Sequence, residues 1–249
     1  MKKKLVAVML GIIMATQAGM PVLAEETEAG ETTAETETED SGFTFRNIPW
    51  YSTKADTEKI FSENGIAESE NFTEDNNAYR LSVIHFENVY NGSDYVEGGG
   101  YSTRYHGMTV AGYTPSDVNV SYIYPVNDDG SLTKDNSLAQ FYFARYVFDS
   151  NDYTGLQAIH DDLLGKLKSI YGDTPALSAE EYWSTETWTD ENSNTIQLLI
   201  SDDADYVCLA YIAGDADARL DAVQTALDNE ALAQEESDRA ANASNTDGL

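Results

Sequence analysis

The chain has 249 residues, of which 14 are basic and 44 acidic, and 41% of it is hydrophobic. A net charge of −30 repels phosphate, which excludes polynucleotides as partners and disfavours anionic membrane surfaces. The single cysteine, Cys208, rules out an intrachain disulfide, and the length is enough to build a core without staples.

Residues 1–24 combine Lys2, Lys3 and Lys4 with an apolar run from Leu5, then Val22 and Ala24 at the −3 and −1 positions of a small-residue cleavage site. This is the layout of a bacterial secretory signal peptide cleaved after Ala24. Thr16, Gln17 and Gly19 interrupt the run, so it is too short to serve as a membrane span. Residues 25–42 hold eight acids and five threonines with no apolar side chain larger than alanine. That composition predicts a disordered acidic linker. The expected product is a secreted, extracellular protein with no membrane insertion after cleavage.

Residues 43–213 have the size of one domain, or of halves 43–148 and 149–213. Thr53-Lys54-Ala55-Asp56 forms a helix cap, a helix runs on through Ile60 and Phe61, and Gly65 sits at its C-terminal stop. Strands are predicted at Tyr79–Phe86, Met108–Tyr113 and around the alternating Val118, Val120, Tyr122 and Tyr124. Asn127-Asp128-Asp129-Gly130 is turn chemistry, leading to a strand over Leu138–Phe148. Leu156, Ile159, Leu163, Leu167 and Ile170 recur at helical spacing until Gly172. Three strands follow at Trp183–Thr189, Thr195–Ser201 and Asp205–Ile212, with connections too short for parallel crossovers. The expectation is an α+β fold of two helices on antiparallel sheet, as a tandem helix-plus-sheet duplication. Ala216, Leu220, Val223, Leu227 and Ala231 then mark an amphipathic helix over 214–236 that docks within the chain, and 237–249 reads as a disordered tail.

Reaction machinery is sparse. The only histidines are His85, His106 and His160, and no Gly-x-Ser-x-Gly elbow occurs. Cys208 alternates within a strand as a small buried hydrophobe. His160-Asp161-Asp162 lacks the spacing that converges two imidazoles on a metal and reads as a helix-face histidine beside solvated carboxylates. Gly98-Gly99-Gly100 lacks a P-loop lysine, and Asn136 stands where a calcium loop needs glutamate. No cofactor or metal is expected beyond weak, non-specific calcium association.

The segment Tyr90–Gly107 stands out as a long loop with Tyr90, Tyr95, Tyr101 and Tyr105, five glycines, Arg104 and His106. Tyrosine offers contact area at low entropic cost and glycine lets a loop adapt, so these six tyrosine, arginine and histidine side chains form the candidate binding site.

The stretch Ile48-Pro49-Trp50-Tyr51-Ser52-Thr53 resembles the turn-then-helix start of small extracytoplasmic α+β domains of the β-lactamase-inhibitor-protein and BamE-like type. That resemblance implies a non-enzymatic scaffold binding another macromolecule on a sheet face. The chain departs from it at Tyr51, where the family often has glycine, and in lacking the inhibitors' disulfides. The leading expectation is an exported binding protein whose partner is another protein. The alternatives are a cell-envelope hydrolase using paired carboxylates and a carbohydrate-binding module built on Trp183 and Trp188.

Overall fold

A computed structural model describes residues 42–68, 75–79, 95–173, 175–179 and 183–244. The predicted signal peptide, nearly all of the predicted acidic linker, Tyr90 and residues 80–86 of the first predicted strand lie outside the described residues.

Helix α1 spans Lys54–Glu63, and its first turn is closed by Thr53, whose Oγ1 accepts from the Asp56 amide at 3.2 Å. It stops where Gly65 adopts φ +73° and the Ile66 amide returns to the Phe61 carbonyl at 2.9 Å. Helix α2 spans Leu156–Tyr171 between Gly155 and Gly172. It buries Leu156, Ile159, Leu163 and Leu167 as the spacing predicts, whereas Ile170 is 67% exposed in its last turn.

The strands are β1 (Ala67–Glu68), β2 (Asp75–Tyr79), β3 (Tyr95–His106), β4 (Asp117–Ile123), β5 (Gln140–Asp149), β6 (Ala176–Ala179), β7 (Trp183–Thr189), β8 (Thr195–Ser201) and β9 (Tyr206–Ile212). They lie in the order β1-β3-β4-β5-β9-β8-β7-β6, every pair antiparallel, and β2 also pairs with β3. Both halves therefore consist of a helix followed by an antiparallel meander. The meanders join through their last strands, with Phe143 opposite Ile212 and Asp149 opposite Tyr206. This is the tandem helix-plus-sheet arrangement expected from the element order.

Three local readings change. Met108–Tyr113 is a tight turn and not a strand: Val110 and Tyr113 exchange both backbone hydrogen bonds, at 2.8 and 2.9 Å, around Ala111 and Gly112 at positive φ. The predicted loop 90–107 is, from Tyr95 to His106, strand β3. Its glycines hide it from a propensity reading, because glycine is normally depleted in strands. The C-terminal helix, α3, runs from Ala216 to Ser244 and continues well into the predicted tail.

The sheet separates two cores. On one face α1 and α2 bury Phe61, Leu156, Ile159, Leu163 and Leu167 against Tyr101, Tyr122, Phe141, Leu198 and Leu209. On the other, α3 docks Ala216, Leu220 and Val223 among Val96, Ile123, Tyr142 and Phe143. Beyond Leu227 the described part of α3 is exposed on all sides, Ala231 included. Gly98 and Gly99 set how closely this helix approaches β3. A Cβ at Gly99 would lie 2.8 Å from Val223 Cγ1, and Gly98 itself sits at φ +73°.

Candidate functional site

Two of the candidate tyrosines, Tyr101 and Tyr105, lie in the core and not on a contact surface. Tyr101 is fully buried, stacked on Tyr122 with ring centroids 5.2 Å apart, and its hydroxyl donates to the Asn136 carbonyl at 2.9 Å. Tyr105 is 4% exposed, packs edge-on against Phe61 and shares a 3.0 Å hydroxyl hydrogen bond with Tyr122. Burial, followed by the neighbouring Tyr105, pushes the Tyr122 phenol well above its ordinary value, so it stays neutral. The Tyr95 backbone pairs with Tyr79 at the start of β3. His106 is exposed at its end, opposite Ala67. Alternation along β3 thus sends Tyr101, Thr103 and Tyr105 into the core and Arg104 to the other face.

That other face carries a cross-strand row of Arg104, Asn119, Arg145, Ala210, Gln197 and Thr187, fixed by register. Arg104 Nε meets Asp117 Oδ1 at 2.8 Å, and Asn119 donates to Asp117 Oδ2 at 3.1 Å. A contact on this sheet face, as the resemblance implies, meets a buried centre. Asn119 and Gln197 are each 7% exposed, Leu199 is 1% exposed and Cys208 is fully buried. Burial raises the Cys208 thiol to about 11, so it is an inert core group.

Trp183 and Trp188 point to opposite faces, as their spacing implies. Trp188 lies in the α2-side core, donating to the Gly172 carbonyl at 3.1 Å, while Trp183 packs on the other side. They do not share a sugar-stacking platform. Among the described residues no group of three or more His, Cys, Asp or Glu side chains is placed to hold a metal ion. His160 is 4% exposed, with Nε2 3.2 Å from Glu186 Oε2 on β7 and Nδ1 3.3 Å from Asp161 Oδ1. Burial alone would lower the imidazole, but hydrogen bonds and charge from the two carboxylates carry it above its usual value.

A concave surface lies where α3 crosses the ends of β4 and β5. This groove has a volume of about 280 Å³ and is lined by Ile123, Tyr124, Pro125 and Val126, by Gln140, and by Arg219, Ala222 and Val223 of α3. Val126 is 37% exposed at its mouth. Arg219 is held in place. Its guanidinium carbon lies 3.5 Å from the centroid of the Tyr51 ring, Nε donates to Asp215 Oδ2 at 2.9 Å and Nη1 reaches Gln140 Oε1 at 3.4 Å. Tyr51 donates its hydroxyl to Asp215 Oδ1, and burial, then Asp215, raises its phenol far above the ordinary range. Asp215 is itself held below the usual carboxylate range: burial works against this, but the Tyr51 and Arg219 hydrogen bonds and the Arg219 charge prevail.

Tyr51 adopts φ +64°, a left-handed conformation costly for a side chain with Cβ. The cost is offset locally. Its amide donates to the Phe141 carbonyl at 2.8 Å, and the adjacent Trp50 stacks on Phe141 with centroids 4.9 Å apart. The backbone thus takes a glycine-like conformation in order to set a tyrosine beneath Arg219, a type of strain that collects at functional positions. Sequence reading noticed the absent glycine at Tyr51 but had no means of linking it to Arg219, 168 positions away. No family model matches the chain, and neither a curated protein nor a solved structure matches it.

Proposed function

We propose that this chain is an exported, non-enzymatic binding protein, and that it contacts another protein through the groove between α3 and the β4–β5 end of the sheet. One observation carries the reading: an arginine oriented by a strained tyrosine and an aspartate at the edge of an apolar concavity. Its Nε and Nη1 donate to Asp215 and Gln140, and its guanidinium lies on the Tyr51 ring. A guanidinium fixed in plane loses little freedom when it donates to carbonyl or carboxylate oxygens, while Val126, Ala222 and Pro125 supply surface for an apolar anchor. Kinship with the β-lactamase-inhibitor-protein and BamE-like scaffolds is part of the same proposal.

Replacing Ala222 by tryptophan fills the groove from an exposed helix position and leaves the core untouched. With wild-type and Ala222→Trp proteins as baits for the extracellular fraction of the producing cells, at least one partner retained by the wild type should be lost from the variant. An unchanged set of captured proteins ends this assignment.

A further inference from the structure

Resting on the groove as the contact surface, we infer that its occupant is a basic peptide segment of the partner, with an apolar side chain in the groove and cationic residues beside it. The floor is apolar: Ile123 and Val223 are buried beneath it, and Val126 and Ala222 form its exposed walls. The surroundings are acidic. Val126 pairs with Leu132 across a hairpin whose tip holds Asp128 and Asp129, and Asp135 follows on the strand side. Two residues of chain place the Asp128 backbone within about 8 Å of that of Val126.

The cations near the groove are already neutralised. Arg219 is paired with Asp215 at 2.9 Å and Lys134 with Glu230 at 2.6 Å. Asp128, Asp129 and Asp135 have no cationic partner among the described residues. Hydrogen bonds from Ser131 hold Asp129 below its ordinary carboxylate range, and those from Ser137 do the same for Asp135. Both therefore stay charged on mild acidification. The groove thus joins apolar surface to unmatched negative charge. A second copy of this chain is a poor occupant, because each copy adds a net charge of −30 to the contact. A basic segment meets both the apolar floor and the acidic margin.

The test uses three synthetic peptides sharing a Leu-Trp-Leu centre and flanked by lysines, by glutamates or by glycine and serine. Their binding is read by fluorescence anisotropy on the wild-type, Ala222→Trp and Asp128→Lys proteins. The lysine-flanked peptide should bind most tightly. Ala222→Trp should weaken it by about tenfold or more, and Asp128→Lys by about threefold at low salt, a difference that shrinks at physiological ionic strength. If the peptides bind alike and all are lost with Ala222→Trp, the basic occupant is wrong while the groove assignment stands. If the lysine peptide binds Ala222→Trp undiminished, it is held elsewhere by charge, and both are wrong. Absence of binding by any peptide, or wild-type dimers in sedimentation that Ala222→Trp dissolves, overturns the basic occupant as well.

Discussion

The two halves share a topology and solve its core differently. In the first, the ten-residue α1 spans too little of its meander, and aromatic rings fill the space beneath it: Phe45, Phe61, Tyr101, Tyr105, Tyr122, Phe141 and Tyr146. In the second, the sixteen-residue α2 covers its strands with Leu156, Ile159, Leu163 and Leu167 on Ile196, Leu198, Ile200 and Leu209, and adds one polar contact, His160 to Glu186. Helix length thus sets side-chain size, because a core must be filled to crystal-like density whichever element lies over it. On the reverse face α3 lies against β3 of the first half, and the groove forms between α3 and the ends of the neighbouring β4 and β5.

The comparison is most sharply tested by deleting the ring that ties α1 down. Phe61→Ala should cost about 3–5 kcal/mol in urea unfolding, with α1 amides losing hydrogen-exchange protection before those of α2. Simultaneous loss in both helices would show that the halves do not behave as separate packing units. A smaller effect is expected at Gly99→Ala, where the new methyl meets Val223 and Val96. It should destabilise by about 1–3 kcal/mol and raise exchange in α3 alone.

The polar contact of the second half gives a pH signature. The folded-state imidazole of His160 is raised, so its stabilisation is present in full below the unfolded value of about 6.5 and is lost as pH rises through the higher folded value. The difference in melting temperature between wild type and His160→Gln should be large in mild acid and shrink above neutrality. The facing charges are Glu186 on β7 and Asp161 on α2; the β8 and β9 side chains on that face are apolar apart from Tyr211, whose phenol burial raises and keeps neutral. A gap independent of pH would reduce His160 to a packing residue. The smallest effect belongs to Thr53→Ala, which removes the α1 cap for about 1 kcal/mol and should leave α2 exchange unchanged.

Local chemistry made much of this legible. The Thr53 cap, the Gly65 and Gly172 stops, the buried face of α2 up to Leu167, the β7 and β8 limits and the inert Cys208 all follow from interactions among neighbours in the chain. The candidate site was much less legible. Tyr101 and Tyr105 look like a paratope along the chain, and only pairing of β3 on both edges turns them inward. The Gly98-Gly99-Gly100 run resembled flexibility and is in part clearance for α3, a contact between residues more than a hundred positions apart.

Amino-acid order alone determined most of the element types and their antiparallel connection, because caps, stops and hydrophobic periods act over a few residues. Tertiary structure alone decided which tyrosines are core, that His160 faces a carboxylate, and that Tyr51, Gln140 and Arg219 converge beside an apolar groove. Those outcomes depend on register and on which face α3 takes, and both are settled only when distant segments compete to bury the same surface.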